Sequence, residues 1–417
     1  MKYIQRDIEK KIVKYLDRKE VLAILGPRQA GKTTILKKIS EKYLSDKKIK
    51  YLTFENREEL NLFEESINDF KELILQYDVV IIDEFQYAKE CGQKLKYLYD
   101  TTDIKFIISG SASLELRYKV GKYMVGRMID FNLWQFSFRE YLKSENKELS
   151  DLLEKKIKPK NFLEFNIKKG FGKEINNRLK NELEKFVIYG GYPAVVLSKD
   201  KDMKERVLRN ILDKFLLKDI QSLLKLATDG ELLKLSKFLA IQIGNVINYE
   251  ELMSAAGLSY LKLKEHLSIL EKTFIIQLIT PFSTNKKTEL TRNPKNFYHD
   301  IGLRNSLISD FRSLENRNDY GAVMENYAYT LLRNLEIVPE LKFWRTKSSA
   351  EVDFVIEKNQ DKIPVEVKYS SKRVVGKSYY SFLRKYKPKV GIILTKDYLA
   401  EEEIEGTIVK FIPLSYF

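Results

Sequence analysis

Cysteine and histidine are scarce in this chain of 417 residues, with one and two copies respectively. The single cysteine, Cys91, excludes an intramolecular disulfide bond and fits a reducing, cytoplasmic environment. The two histidines, His266 and His299, lie far apart in the sequence, which disfavours a metal site built on histidine. These scarcities point away from disulfide scaffolds and from histidine-based metal centres.

Long apolar runs are also missing. No run approaches the roughly 20 residues that a membrane-spanning helix needs. Residues 1–19 carry charges throughout, unlike a secretory signal peptide, and their apolar spacing predicts a lead-in helix. We therefore predict a cytoplasmic protein without a membrane partner. Apolar residues still make up 44% of the chain, ample for globular cores, and the length predicts about three domains.

Positive charge exceeds negative charge by a wide margin. The chain has 74 Lys and Arg residues against 59 Asp and Glu residues, which gives a formal net charge of +15. Such an excess favours a polyanionic partner such as nucleic acid, or an acidic membrane surface. The alternative explanation is a source whose proteins are generally basic and rich in lysine.

One stretch carries a phosphate-binding pattern. Residues 26–33 fit G-x-x-x-x-G-K-[ST] at every required position. The apolar run 21–25 before them predicts a buried strand, and residues 33–43 after them predict a helix. This strand, loop and helix are the context that the pattern needs, and a chance glycine turn would lack it. The predicted nucleotide-binding residues are Gly26, Pro27, Arg28, Gln29, Ala30, Gly31, Lys32, Thr33 and Thr34.

The residue types explain why this loop would bind ATP and Mg²⁺. Glycine lets backbone N–H groups curl around phosphate oxygens, and the helix dipole adds partial positive charge. Lys32 is expected to reach the β- and γ-phosphates, and the Thr33 hydroxyl is expected to lie on Mg²⁺. The loop therefore predicts an ATP-binding site with Mg²⁺ as its cofactor.

Two carboxylates follow a second apolar run. Residues 79–82 are β-branched and apolar, and Asp83 and Glu84 come directly after them. Because chemistry gathers at the carboxyl ends of strands in a parallel sheet, we expect this pair beside the loop. Asp83 is predicted to hold Mg²⁺, directly or through water. Glu84 is predicted to act as the base, or the positioner, for an attacking water.

Hydroxyl groups and arginines further along the chain are candidates for contact with the γ-phosphate. Residues 105–108 predict the next strand, and Ser109 or Ser111 at its end is a candidate sensor, with an ordinary Ser-Gly turn as the alternative. Arg117 and Arg127 are candidates for neutralising charge on the transferring phosphoryl group, in cis or from a neighbouring subunit. Solvated surface arginines are the alternative. The predicted catalytic set is Lys32, Glu84, Ser109 and Arg127.

Several of these motifs together resemble a known family. They are the Gly-Lys-Thr end of the loop, Asp-Glu-Phe-Gln at 83–86, Ser-Gly-Ser at 109–111, Gly-Arg at 126–127 and Phe-Ser-Phe-Arg-Glu-Tyr at 136–141. Jointly they resemble the prokaryotic AAA-type ATPases that are common in archaea. The resemblance covers most of the chain and implies a parallel-sheet ATPase core. It also implies a C-terminal region of unknown function that resembles a nuclease, and it supplies no substrate.

The middle of the chain predicts a helical connector and then a winged helix-turn-helix. Residues 143–180 predict an exposed connection, and a Gly-Gly-Tyr-Pro turn at 190–193 also occurs in the family. Three helical segments around a Gly-Leu-Ser turn then lead into a wing strand. The third helix is expected to point Lys262, Lys264, His266 and Lys272 outward, which suits phosphate contacts with DNA. Protein–protein packing is the alternative use of such a module.

The last region carries a second set of acids. Glu325 lies on a predicted helix, Asp353 near the start of a predicted strand, and Glu366 and Lys368 on the next strand, where alternation puts both on one face. Asp353, Glu366 and Lys368 match the D…ExK pattern of PD-(D/E)XK nuclease-like folds, and Glu325 matches the helix acid of some of them. Such carboxylates hold Mg²⁺, and Lys368 would activate water or steady developing charge. Solvated acids on a strand are the alternative.

The predicted fold class is α/β: a P-loop NTPase parallel sheet, a helical lid, a winged helix-turn-helix and a C-terminal restriction-endonuclease-like α/β domain. The predicted domains are 1–142, 143–230, 231–285 and 286–417. We predict an ATP-hydrolysing AAA-type ATPase that acts on nucleic acid, with DNA as the expected form. Two alternatives stay open: an ATP-gated metal-dependent DNA nuclease, and a nucleotide-dependent scaffold that binds DNA or protein with little turnover. A homo-oligomer or a protein partner also stays open.

Overall fold

The β-branched runs in the first third of the chain form one parallel sheet in the computed structural model. Its five strands are β1 (Val21–Leu25), β2 (Ile49–Thr53), β3 (Val79–Asp83), β4 (Lys105–Gly110) and β5 (Met128–Asn132). They lie in the order β2-β3-β4-β1-β5, and every pairing between neighbours is parallel. The carboxyl ends of all five strands therefore lie on the same side of the sheet, and the predicted parallel α/β core is confirmed.

The structure describes residues 3–111, 120–157, 163, 165–213, 229–334, 340–358 and 360–417. Contacts divide the chain into two units: Met1–Phe136 with Lys272–Ile275, and Ser137–Glu271 with Ile276–Phe417. Within the described ranges, no helix is both long enough and apolar enough to cross a membrane. Arg117, one of the arginine candidates, lies outside the described residues.

Apolar side chains cover both faces of the parallel sheet. Alternate residues of β1 belong to different cores: Val21, Ala23 and Leu25 pack on one face, and Leu22 and Ile24 pack on the other. Burial on both faces explains why β1 and β3 are continuous apolar runs without polar alternation. Among its described residues, the helices of this unit include Glu9–Val13, Lys32–Tyr43, Arg57–Glu65, Ile67–Ile74 and Cys91–Thr101.

The N-terminal helix is much shorter than predicted. A helix through most of residues 1–19 was expected, but the structure has one only over Glu9–Val13, followed by turns. Lys105 accounts for the early end of the helix, because its Nζ donates hydrogen bonds to the carbonyl oxygens of Tyr15, Arg18 and Glu20. Carbonyl groups that converge on one ammonium do not point along a helix axis, so the buried cation selects the turn.

Helices make up the first part of the second unit. They are Phe138–Glu145, Lys147–Lys156, Lys173–Tyr189, Pro193–Val196 and Lys201–Leu212. Leu149, Leu153 and Ile157 are buried, so the segment that was predicted as an exposed connection includes a packed helix. These three apolar residues recur every four positions, which buries one stripe and leaves the charges outside. Residues 214–228 of the predicted connector lie outside the described residues.

Three further helices precede a pair of antiparallel strands, β6 (Ile276–Ile279) and β7 (Lys295–Tyr298). The helices are Asp229–Ile241, Tyr249–Ala256 and Tyr260–Lys272. Gly257 ends the second helix with φ 72°, a left-handed conformation that suits a tight turn. The prediction that His266 points outward is wrong, because it lies on the same stripe as buried Leu263 and Leu270. Its Nδ1 lies 2.7 Å from the carbonyl oxygen of Lys262.

Six strands near the end of the chain form a mixed sheet. They are β8 (Lys342–Arg345), β9 (Glu351–Lys358), β10 (Asp361–Lys368), β11 (Val390–Thr395), β12 (Ala400–Ile404) and β13 (Thr407–Pro413). Their order is β12-β13-β11-β10-β9-β8, with β10, β11 and β13 as parallel neighbours. The remaining helices are Lys286–Thr291, Ile301–Leu307, Tyr320–Asn334 and Lys377–Tyr386. A small α/β sheet was predicted here, but β12 and β13 were not among its predicted strands.

Two helices of the second unit approach each other closely at Gly302. A Cβ on Gly302 would lie 1.9 Å from the carbonyl oxygen of Tyr189, so no side chain fits there. The neighbouring Asp300 is buried, and its Oδ2 accepts a hydrogen bond from the N–H of Gly191 at 2.8 Å. This contact holds the Gly-Gly-Tyr-Pro turn in place.

Gly302→Ala is expected to destabilise the protein by about 1–3 kcal/mol, because the added methyl group forces two backbone segments apart. Gly321→Ala is the matched control, since Gly321 is an exposed helical glycine where a Cβ would meet nothing within 4 Å. The control is expected to be neutral or up to about 1 kcal/mol more stable, because alanine is the better helix former. Urea unfolding followed by circular dichroism measures both, and equal midpoints would contradict the close approach at Gly302.

Candidate functional site

The phosphate loop lies between the end of β1 and the helix Lys32–Tyr43. Gly31 precedes the helix with φ 96°, a conformation that glycine adopts without strain. A Cβ on Gly26 would lie 2.0 Å from the carbonyl oxygen of Leu133, so only glycine fits there. No side chain caps the helix, so its first N–H groups are available to phosphate oxygens.

Lys32 is the buried cation of this loop. It is 4% exposed, and its Nζ donates hydrogen bonds to the carbonyl oxygens of Gly26 and Pro27 at 3.2 and 3.1 Å and to Ser111 Oγ at 2.8 Å. Burial lowers the pKa of Lys32, and the charges of two nearby carboxylates, Glu84 and Asp83, act in the opposite direction. Because its direct partners are neutral oxygens, the ammonium retains positive charge for an anionic ligand.

Other loop residues make contacts that fix the shape of the loop. Gln29 adopts the left-handed conformation with φ 60°. Arg28 donates from Nη2 to Tyr87 OH at 2.9 Å. Arg6 is a buried residue that was not predicted, and its Nη1 donates to the carbonyl oxygen of Ala30 at 2.8 Å. Only the folding of the N-terminal segment onto the loop brings Arg6 to this position.

Asp83, at the end of β3, lies against Thr33 of the loop helix. Thr33 Oγ1 donates a hydrogen bond to Asp83 Oδ2 at 2.6 Å, and Tyr51 OH donates to the same oxygen at 2.8 Å. Burial, followed by the charge of Asp83, raises the pKa of Tyr51 above its usual range. Tyr51 was not among the predicted residues, because only the pairing of β2 with β3 brings it to Asp83.

Glu84 has φ 55°, a left-handed conformation that is rare outside glycine and that gathers at functional sites. Its Oε2 accepts hydrogen bonds from Ser111 Oγ at 3.1 Å and from Gln86 Nε2. These contacts keep the Glu84 carboxylate near Lys32, where its charge partly opposes the lowering of the Lys32 pKa by burial. The turn after β3 therefore directs one acid to Thr33 and the next acid to the environment of the lysine.

The two candidate sensor serines make different contacts. Ser109 is fully buried and donates from Oγ to Asp83 Oδ1. Ser111 Oγ instead lies between Lys32 and Glu84, at 2.8 Å from the lysine nitrogen. Ser111 therefore lies beside both Lys32 and Glu84, whereas Ser109 lies against Asp83 and accepts a hydrogen bond from the backbone N–H of Glu84 at 3.3 Å.

Thr33 and Asp83 offer oxygen ligands that suit Mg²⁺. A hydroxyl group and a carboxylate are the hard donors that this ion prefers, and their 2.6 Å contact shows that they converge on one point. The residues present therefore fit Mg²⁺ at this place. When bound, the ion would neutralise charge on the phosphate oxygens.

Arg127 lies at the amino ends of the parallel strands, whereas the phosphate loop lies at their carboxyl ends. Its carbonyl oxygen accepts a hydrogen bond from the N–H of Val21, the first residue of β1, whereas the loop follows the last residue of that strand. The length of such a strand separates its two ends by roughly 15 Å. The side chain of Arg127 instead pairs with Asp100 at 3.3 Å. The predicted role of Arg127 in cis is therefore wrong, because the parallel register places it at the amino end of β1.

The C-terminal acids converge where β9 meets β10. Asp353 Oδ2 accepts a hydrogen bond from the N–H of Val367 at 2.8 Å, and Lys368 Nζ lies 2.7 Å from Glu366 Oε1. Burial raises the pKa of Glu366 to about 8; the charge of Asp353 adds to this rise and the charge of Lys368 opposes it. The three residues of the predicted D…ExK pattern are therefore close together in the structure.

Lys295, at the start of β7, is a member of this cluster that the sequence pattern did not predict. It is 1% exposed, and its Nζ lies 2.9 Å from Glu325 Oε1 and 2.5 Å from Glu351 Oε1. Burial raises the pKa of Glu325 to about 8, and the charge of Lys295 opposes that rise. Among the described residues, no group of three or more His, Cys, Asp or Glu side chains is arranged to hold a metal ion. This cluster therefore does not fit the Mg²⁺ that the D…ExK pattern implies.

Family comparisons agree with the parallel sheet and its loop. Residues 18–142 match a family described as an AAA domain. Loop, sheet and match support a P-loop ATPase of the AAA type. Beyond this AAA domain, residues 180–314 and 320–417 match two families that are described as domains of unknown function, DUF8612 and DUF4143.

Curated relatives are similar to this chain along most of its length. An uncharacterized protein of Methanocaldococcus jannaschii is 26% identical, and the alignment covers 98% of this chain and 87% of that protein. An uncharacterized protein of Haemophilus influenzae is 24% identical, with 96% of this chain and 95% of that protein covered. The similarity therefore extends over both the AAA domain and the C-terminal region of this chain, and neither relative's name states an activity.

Solved structures show only a distant likeness. The ADP form of Aeropyrum pernix ORC2 is similar at a TM-score of 0.35 and 13% identity, over 80% of this chain and 95% of that chain. The Aeropyrum pernix ORC1 protein in complex with DNA is similar at a TM-score of 0.32 and 10% identity, over 74% of this chain and 93% of that chain. Likenesses at these TM-scores carry no argument about function.

The serine contacts of the AAA domain predict different defects for two alanine variants. Ser111→Ala is expected to lower kcat for ATP hydrolysis about tenfold, because it loosens Lys32 and Glu84. Ser109→Ala is expected mainly to raise the Mg²⁺ concentration needed for half-maximal activity, because Ser109 supports Asp83. Steady-state ATPase assays across Mg²⁺ concentrations measure both quantities. Ser40→Ala, on the surface of the loop helix, is the control, and identical defects in the first two variants would contradict the assignment.

Proposed function

We propose that this protein hydrolyses ATP at the phosphate loop and that hydrolysis serves an action on nucleic acid. The AAA domain match supports ATPase activity at a general level. The contacts around the loop support roles for individual residues. The basic charge and the helices of the second unit support the nucleic-acid partner.

The observation that carries the proposal is the contact between Thr33 and Asp83. These residues lie 50 positions apart in the sequence and come from different elements, yet their oxygens are 2.6 Å apart. This contact joins the residue expected on Mg²⁺ at the head of the helix to the acid at the end of β3. It is the pairing that hydrolysis of a nucleoside triphosphate requires.

Each group near this contact has a distinct task. Lys32 would exchange its loop carbonyl partners for phosphate oxygens and offset their charge. Glu84 would orient the attacking water and accept its proton. Ser111 forms hydrogen bonds with both groups, so it would hold the lysine and the acid at a fixed separation as the water approaches.

Lys32→Ala is expected to lower kcat/KM for ATP by at least about 10²-fold, because it removes charge stabilisation of the transferring phosphoryl group. Glu84→Gln is expected to bind ATP with near-normal affinity and to turn over about 10²–10⁴-fold more slowly, because the base is lost. Nucleotide binding by fluorescence and single-turnover hydrolysis separate the two effects.

Lys38→Ala is the matched control for these variants. Lys38 lies on the same helix in an exposed pair with Glu41, and such pairs contribute little, so normal activity is expected. Full turnover by Lys32→Ala would defeat the ATPase proposal.

The nucleic-acid partner is supported by charge and by the helices before β6. The formal net charge is +15, and Lys262 and Lys264 are exposed on the helix Tyr260–Lys272. Lys264 Nζ also lies 4.1 Å from the centre of the Tyr249 ring, which steadies it at the surface. We propose that these three helices and the strand pair are a winged helix-turn-helix that contacts DNA phosphates through these lysines.

DNA is expected to stimulate ATP turnover. A double variant, Lys262→Ala with Lys264→Ala, is expected to bind DNA more weakly and with a smaller dependence on salt, because two phosphate contacts are lost. Fluorescence anisotropy at several salt concentrations, with single- and double-stranded DNA, measures this. Lys237→Ala, an exposed lysine on another helix of the same segment, is the control. Binding that is absent or independent of salt would favour the protein-binding scaffold.

The domain boundaries 1–142, 143–230, 231–285 and 286–417 are part of the proposal. The last domain is proposed to have a PD-(D/E)XK nuclease-like fold, supported by the proximity of Asp353, Glu366 and Lys368. A neighbouring copy that supplies Arg127 to the phosphate loop is compatible with its position at the sheet edge. Because Lys295 lies within the acidic cluster, DNA cleavage is the weaker of the candidate activities.

A further inference from the structure

Lys295 is anchored within the C-terminal acidic cluster by its backbone and by its side chain. Its backbone pairs with Ile279 on β6 and with Val246. Its Nζ lies 5.4 Å from the centre of the Phe343 ring. A side chain that is packed in this way cannot leave the carboxylates unless the strand that carries it also moves.

The contacts of Lys295 are those of an ammonium group. Its Nζ lies 2.9 Å from Glu325 Oε1 and 2.5 Å from Glu351 Oε1, and it is almost fully buried. A buried ammonium with several acidic partners is stable, whereas a buried ammonium without partners is not. A divalent cation among the same acids would face this positive charge at close range, which is unfavourable.

The remaining oxygens of the cluster are mostly occupied. Glu366 Oε1 faces Lys368, and Asp353 Oδ2 accepts the N–H of Val367. Within the described part of the chain, Glu366 Oε2 is buried and has no hydrogen-bond partner. The acids of the D…ExK pattern thus lie in a cluster that already holds two ammonium groups, those of Lys295 and Lys368.

We propose that Lys295 is the resident cation of this cluster, beside the acids that would hold the divalent metal of a PD-(D/E)XK nuclease, and that the C-terminal domain therefore has no metal-dependent nuclease activity. The acids instead form an internal ion cluster that fixes β7, β9, β10 and the helix Tyr320–Asn334 to one another. The proposal does not depend on ATP hydrolysis, so the two can fail separately.

The test measures Mn²⁺ binding to the nucleotide-free protein. Electron paramagnetic resonance of the free ion reports how much Mn²⁺ is bound. Asp83→Asn is present throughout to remove the metal ligand of the phosphate loop. With Lys295 intact, no Mn²⁺ binding that depends on Asp353 is expected. Lys295→Met is expected to gain a Mn²⁺ site, because the carboxylates lose their cation, and addition of Asp353→Asn is expected to remove that site.

Lys342→Met is the matched control for loss of a buried lysine. Lys342 is 6% exposed and pairs with Glu289 and Glu357 on a different part of the same unit. Both lysine variants are expected to melt at a lower temperature than the parent protein. Mn²⁺ is expected to raise the melting temperature of Lys295→Met and not that of Lys342→Met, because only the first variant creates a site that binds the ion.

Three results would overturn the proposal. The first is Asp353-dependent Mn²⁺ binding while Lys295 is present. The second is Mn²⁺-dependent DNA cleavage by the Asp83→Asn protein that Asp353→Asn abolishes. The third is a Lys295→Met variant that gains no Mn²⁺ binding and whose melting temperature does not change when Mn²⁺ is added. Lys295→Arg, which keeps the positive charge, is expected to gain no Mn²⁺ site.

Discussion

A buried ammonium group needs oxygen atoms around it, and both candidate sites of this protein are arranged around such a group. In the AAA domain, Lys32 is surrounded by carbonyl oxygens and a serine hydroxyl. In the C-terminal acidic cluster, Lys295 of β7 is paired with the carboxylates of Glu325 and Glu351. The kind of oxygen decides what each site can still bind.

Neutral oxygens leave the charge of Lys32 available. The loop carbonyls solvate the ammonium without cancelling it, so a multiply charged phosphate remains an attractive ligand. Carboxylates, in contrast, cancel the charge of Lys295, and the lysine in turn cancels theirs. The first lysine therefore belongs to a site that is prepared for an anion, whereas the second belongs to a cluster in which the lysine itself balances acidic charge.

Strand direction places the chemistry of the AAA domain. Because β1 and β3 are parallel members of one sheet, the phosphate loop and Asp83 both lie at the carboxyl ends of their strands, on the same side of the sheet. The same rule separates Arg127 from the phosphate loop of its own chain, because its backbone pairs with the first residue of β1. Contacts with Asp83 then add Tyr51, a residue on the edge strand β2 that no motif includes.

Local sequence by itself determined β1, β3 and β4 of the parallel sheet, the phosphate loop and the acids after β3, because each depends on short runs with a characteristic pattern. It also determined that Asp353, Glu366 and Lys368 would be neighbours, since strand alternation and one turn suffice. It did not determine that His266 is buried or that residues 14–20 form turns around Lys105. Only the tertiary structure decided those, and only it placed Lys295 among the acids. A lysine on a short strand carries no local sign of its partners, because the charges that surround it come from elements distant in the sequence.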